Sequence, residues 1–366
     1  MTMDHLSRRG AIALSILWEC VATAARRFGR TALPPGTIAA LAIGLLSATA
    51  APAAAQDAVR AYVTNFEGDG ISVVDPVGAR VITQIKTGMN PHGVAIAPDG
   101  RAVYVSNEKD GTLSFVDPAS NQVTATIAVG EKPNQIEVSA DSRYVFVTLN
   151  GSDSVAVVDV ASRAVVKLAP VGRAPHIALR SPDGRTIYVT SEGDMKLVAL
   201  DARSWDKVAE TPLFGWPRVF AISPDGKTAY QTMRWLNGVL VVDLAQHKVV
   251  DRIAFSEPVF APEGKDAHGP GLTPDGRELW VTTQTSNDVA VIGTGNLKLL
   301  QRIAVGRNPN WIGFTPDGGL AVISNTDSNA VSVIDVLRRR AIATVPVGKA
   351  PKRLAVGLVR VADAVR

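Results

Sequence analysis

The sequence predicts an all-β protein: a seven-bladed β-propeller of four-stranded antiparallel blades, closed by a C-terminal strand that completes the first blade. Three observations predict it. A strand-like segment recurs along the chain, as "AYVTN" at 61, "VYVSN" at 103, "VFVTL" at 145, "IYVTS" at 187, "AYQTM" at 229, "LWVTT" at 279 and "AVISN" at 321. A fixed period near 40 residues is the signature of a repeat array, and β-rich content within each unit selects a propeller over a helical solenoid. The array also opens on a second strand and ends on an unpaired first strand, "RLAVGLVRV" at 353–361. That pairing hides edges that would otherwise recruit other chains.

Within a unit the elements follow a constant order. "GVAIA", "AVYVSN", "LSFVD" and "VTATIAV" are short runs rich in β-branched residues, separated by "PDGR", "EKDG" and "PASNQ". Those separators are hairpin turn chemistry, and no run has the length or 3.6 period of a helix. The runs are almost continuously apolar, as expected for blades buried on both faces. Successive units are 42 residues apart except for one step of 50, between 229 and 279. The extra eight residues fall in "SEPVFAPEGKDAHGP", where Glu263 and Asp266 are potential oxygen ligands or bases on a loop that breaks the repeat.

The 366-residue chain reads as a leader over 1–55 and a propeller over 56–366. "ARRFGR", "TIAALAIGLL" and "ATAAPAAAQD" have the order of a basic n-region, an apolar h-region and a small-residue cleavage site, with the cut best placed after Ala55. "SRRGAIA" weakly resembles a twin-arginine signal. The expected location is therefore periplasmic or secreted. Cys20, the one cysteine, lies in the leader, so the mature chain has no disulfide or thiol chemistry. The pI near 9.2 is also a leader effect. Removing its five basic and two acidic residues from the 38 and 34 of the whole chain leaves 33 against 32. Such a balance gives no electrostatic case for nucleic acid, and no span is expected to hold the mature chain, a monomer, in a membrane.

Positions that repeat are assigned to the scaffold. Pro98-Asp99-Gly100 and its four counterparts at 182, 224, 274 and 316 close hairpins, with proline presetting φ and glycine accepting φ > 0. Thr64, Ser106, Thr148, Thr190, Thr232, Thr282 and Ser324 repeat a hydroxyl, and Asp75, Asp117, Asp159, Asp201, Asp243 and Asp335 end the third strand. Equivalent turns need equivalent caps, which is the role expected of both sets.

One position varies against this background. Around the ring, with 351–361 in the first blade, it holds Lys352, His92, Asn134, His176, Arg218, His268 and Asn310. It opens each innermost strand, so the seven side chains are expected around one mouth of the central channel, with Trp216 and Trp311 beside them. Cations and imidazoles without a carboxylate favour an anionic ligand. Three histidines on alternate blades suggest a metal site, but the neighbouring Arg218 and Lys352 and the lack of metal-ligand spacing argue against it, and no metal is expected.

"YVTN", "VSVIDV", "IAVGRNP" and "FTPDG" resemble the vocabulary of the YVTN-repeat β-propellers, over about 61–360. The resemblance implies the same fold and an extracytoplasmic setting, as in surface-layer proteins and periplasmic components linked to quinoprotein catabolism. Haem d1-type propellers are more distantly similar, but they have eight blades, and this chain lacks a cytochrome c attachment motif. The favoured function is an exported non-catalytic binding or scaffold propeller, holding an anionic small molecule or a partner segment at the channel mouth, with a periplasmic redox or envelope protein as the macromolecular partner. The alternative is a periplasmic enzyme, a lyase or lactonase or a redox-pathway component, using His268 or His176 as acid–base groups. The cofactor stays unidentified at this level.

Overall fold

A computed structural model describes residues 56–233, 237–255 and 267–362. The expected leader, Glu263 and Asp266 lie outside the described residues. Seven four-stranded antiparallel sheets form, six of them from strands consecutive in sequence. Blade 2, for example, runs Pro91–Ile96, Val103–Asn107, Thr112–Asp117 and Gln122–Ala128 from inside to outside. Blade 1 is the exception, because its innermost strand is the C-terminal Pro351–Val361, paired antiparallel with Gln56–Asn65 from Gln56↔Val361 to Asn65↔Pro351. First strands of neighbouring blades touch in an unbroken circle, so the ring is closed. Among the described residues the helical content is one 3₁₀ turn, Thr326–Ser328, and no helix is long and apolar enough to cross a membrane.

Burial follows position within the blade. The second strand of blade 2, "VYVSN", is buried at every residue, whereas its outermost strand, "QVTATIA", alternates exposed with half-buried. The continuous apolar pattern thus belongs to strands covered on both faces, and the outer edge reverts to period-two alternation. Side chains such as Val166, Leu168 and Val250 on outer strands are consequently exposed.

The repeated polar residues divide into two structural devices. Carboxylates cap turns: Asp99 Oδ1 accepts the Arg101 N–H at 3.0 Å, Asp183 that of Arg185 at 3.1 Å, and Asp117 that of Ala119 at 2.9 Å. The glycines of the Pro-Asp-Gly turns sit at φ of 69–72°, the left-handed region that makes glycine the fitting residue. The hydroxyls work differently from the expected caps. Each donates to the main-chain carbonyl of the variable residue in the next blade: Thr64 to His92 at 3.1 Å, Ser106 to Asn134 at 2.5 Å, Thr148 to His176 at 3.2 Å, Thr190 to Arg218 at 3.0 Å, Thr232 to His268 at 2.8 Å, Thr282 to Asn310 at 3.2 Å, and Ser324 to Lys352. Many accept in return from their own blade, as Ser106 does from the Gly93 N–H at 2.8 Å. These buried clasps join every blade to the next.

Candidate functional site

The variable residues are the second residues of the innermost strands, held by those clasps. Six of the innermost strands begin at a proline; the sixth-blade strand begins at Ala267. In six blades the residue before that strand or its equivalent proline is left-handed, at φ of 49–63°: Asn90, Lys132, Ala174, Trp216, Asn308 and Ala350. The conformation of Trp216 is therefore a repeat feature. His92, Asn134, His176, His268 and Asn310 are at most 6% exposed. Arg218 and Lys352 are half-buried.

The structure draws most of them into one network. His92 and His176 rings lie 6.3 Å apart, and the Lys352 ammonium sits 3.1 Å from the centroid of the Phe66 ring, which meets His92 edge-on. His92 Nδ1 is 3.0 Å from Glu108 Oε2. His176 Nδ1 lies 3.7 Å from Glu192 Oε1, and Arg218 Nε lies 3.5 Å from the same oxygen. His268 Nδ1 is 2.8 Å from the main-chain oxygen of Asn310. A carbonyl only accepts, so His268 Nδ1 carries a proton and Nε2 the lone pair. Asn134 is buried with its Oδ1 lacking a hydrogen-bond partner. Trp311 is 9% exposed with its ring covered by the Arg353 guanidinium at 4.2 Å, so its face is already occupied.

All three imidazoles are held neutral. Burial, then the charges of Arg353 and Lys352, outweigh the pull of Glu108 and push His92 down to about 4. Burial, then Arg218 and Arg353, hold His176 well below the usual histidine range. Burial, then the same two guanidiniums, do so for His268. Burial and Arg353 also push the Lys352 ammonium down to about 8. Glu108 moves the other way: burial favours its neutral form, but His92, Lys352 and Lys132 together hold its pKa below the ordinary value.

Beside the axis, on blades 5 to 7 and 1, a basin of about 520 Å³ is lined by Arg218, His268, Asn310 and Lys352 together with Gln284, Arg307, Thr326 and Asp327. This size suits a small-molecule ligand. Among the described residues no group of three His, Cys, Asp or Glu is placed to hold a metal ion.

The single-position reading missed Arg353, Glu108, Glu192 and Phe66. Two signals in the repeats mark them. The residue after the variable one also changes, through Gly93, Gln135, Ile177, Val219, Gly269, Trp311 and Arg353. So does the residue two past each clasp hydroxyl, including Phe66, Glu108, Asn150, Glu192, Gln284 and Thr326. Its N–H is repeatedly anchored on the carbonyl of the left-handed residue, as in Glu108 N to Asn90 O at 3.0 Å and Glu192 N to Ala174 O at 3.2 Å. A second variable ring therefore surrounds the first.

Solved structures share this architecture. The periplasmic gluconolactonase PpgL of Pseudomonas aeruginosa is 21% identical, with a TM-score of 0.65 over 82% of this chain and 99% of its own. A Kuenenia stuttgartiensis hydrazine synthase chain is 24% identical, TM-score 0.65, over 73% and 89%. The dihydro-heme d1 dehydrogenase NirN is 18% identical, TM-score 0.62, over 81% and 74%. These likenesses establish the fold. No curated protein matches the sequence significantly. The family model described as "Lactonase, 7-bladed beta-propeller" matches residues 61–341. This match overturns the expected non-catalytic binding or scaffold propeller in favour of the enzymatic alternative. The physical reason is that the mouth is not merely a hydrated polar rim: it holds buried neutral imidazoles, two of them beside carboxylates. With most of its length matched, the chain belongs to the lactonase family of seven-bladed β-propellers.

Proposed function

We propose that the protein hydrolyses a lactone in the basin at its channel mouth. The observation that carries this reading is the geometry of His268. Its Nδ1–H is fixed on the Asn310 carbonyl, and its side chain shares the basin with Arg218 and Lys352. Nε2 of a neutral imidazole accepts the proton of a water molecule as that water attacks the lactone carbonyl. The carbonyl oxygen becomes an oxyanion, which Arg218 and Lys352 are suited to stabilise. The bond from carbonyl carbon to ring oxygen then breaks, and the imidazolium returns its proton to the departing alkoxide. The product is the open hydroxy acid.

Family membership and the likeness to a gluconolactonase support an aldonolactone as the first substrate to test. The recurring "YVTN"-type strands support placement in the YVTN-repeat group, and the composition of 1–55 supports export as a leader. The assay is proton release from glucono-1,5-lactone, measured above spontaneous hydrolysis. Saturable acceleration is expected, falling by about 10²-fold or more in His268→Gln, in line with general-base contributions. No acceleration across a panel of five- and six-membered aldonolactones would refute the proposal.

A further inference from the structure

Arg353 was not among the residues expected at the mouth, yet it touches three of them, His176, Asn310 and Trp311. It is 1% exposed, on the strand that closes the ring. No carboxylate among the described residues lies within ion-pair distance of it, and its Nε is buried without a hydrogen-bond partner. Packing alone does not call for such a group. Equivalent positions hold Gly93, Ile177, Val219 and Gly269, and a buried charge is often replaceable by an apolar side chain of similar volume without loss of stability.

The contacts of the guanidinium explain its presence. Nη2 lies 2.9 Å from His176 Nε2, Nη1 lies 3.0 Å from Asn310 Oδ1, and the plane rests on Trp311. A guanidinium has only donors. His176 Nε2 must therefore accept, which places the His176 proton on Nδ1, the nitrogen facing Glu192. The Asn310 side chain held by Nη1 belongs to the residue whose main-chain oxygen receives the His268 Nδ1–H. One cation on blade 1 thus bonds the imidazole of blade 4 and the side chain of the residue whose main chain holds the imidazole of blade 6.

We propose that Arg353 is a positioning residue that occupies the lone pair of His176 and leaves His268 as the one of the two able to accept a proton. This assignment rests on the lactone-hydrolysis reading for its catalytic meaning, but its physical content can be tested without substrate. The test is ¹⁵N NMR of the imidazole nitrogens of the full chain, with pH profiles of kcat and kcat/KM for wild type, Arg353→Met and Arg353→Lys. In wild type, His176 is expected to show a pyridine-like Nε2 and a pyrrole-like Nδ1 from pH 5 to 8. In Arg353→Met, His176 keeps Glu192, Arg218, His92 and His268 as ionisable neighbours, and His268 keeps Arg218 and Lys352. Loss of one cation from both sets is expected to raise both pKa values. The acidic limb of kcat/KM then moves up in pH, and kcat falls about 10²-fold through misplacement. Arg353→Lys restores the charge and the low pKa values but not kcat, because an ammonium does not reproduce the planar fork.

A wild-type His176 protonated at Nε2, or titrating near 6.5, overturns the proposal even if Arg353→Met fails to fold. Unchanged tautomers and pH profiles in a folded Arg353→Met overturn it as well. An inactive protein with the expected nitrogen spectrum would instead count against lactone hydrolysis and leave the positioning role standing.

Discussion

Replacing Ser106 by alanine removes one oxygen from the interface between blades 2 and 3 and adds nothing. Ser106 is fully buried, accepts the Gly93 N–H at 2.8 Å and donates to the Asn134 carbonyl at 2.5 Å. Neither main-chain group can reach water in its place without parting the blades. A buried donor or acceptor left unsatisfied costs about 1–3 kcal/mol, so two of them together set an expected loss of about 2–6 kcal/mol. The control is Thr124→Val on the exposed outer strand of the same blade, where a surface change falls within about 0.5 kcal/mol. The assay is chemical unfolding followed by tryptophan fluorescence, read as a shift in midpoint at constant slope. If Ser106→Ala and Thr124→Val unfold at the same midpoint, the hydroxyls are not clasps and the account of ring closure fails.

Stability is expected to fall as pH drops from about 6.5 towards 4. The buried imidazoles stay neutral in the folded chain while the unfolded chain takes up protons in that window, so the contribution is complete above 6.5 and lost on the acid side. For His92, at about 1.4 kcal/mol per pKa unit, the contribution is at most about 3 kcal/mol, and His92→Gln should flatten the midpoint-versus-pH curve from denaturant titrations. Gly93→Ala should destabilise by about 1–3 kcal/mol in the same unfolding assay, because its Cβ would lie 2.4 Å from the Asn134 oxygen. Gly295→Ala, whose Cβ meets nothing within 4 Å, is the matched variant expected to be neutral or slightly stabilising.

The fold was legible because each blade repeats its own turn grammar. "PDG" reports a left-handed glycine directly, and the terminal "RLAVGLVRV" reports a strand without a local partner. The innermost position was also legible, since its side chain changes while its frame does not. Arg353 was harder to see. A residue beside the variable one alternates to the other face of a strand, where the simple expectation is packing, and Ile177 and Val219 meet that expectation. Only the length of an arginine lets it leave the blade interface and reach His176 and Asn310. Glu108 and Glu192 were hidden for another reason: their position follows the "YVTN" strand into a loop, where an isolated acid reads as solvated. The repeated anchoring of that loop's N–H on the carbonyl before the innermost strand turns it towards the mouth.

Fold and site are separated by the part of the residue each one uses. The clasp hydroxyls bind the main-chain oxygens of His92, Asn134, His176, Arg218, His268, Asn310 and Lys352, never their side chains. Closure of the ring is therefore indifferent to which side chain stands there, and every such side chain begins from a backbone fixed on both sides. That arrangement lets one chain place an imidazole, an amide and a guanidinium at symmetry-related points without destabilising any blade. It also predicts where tolerance ends. Side chains at the ring can change without breaking a clasp, whereas a proline there, or loss of a hydroxyl opposite, disturbs both blade closure and the orientation of the neighbouring site residue. Chemistry at the mouth can then diverge while the scaffold stays constant.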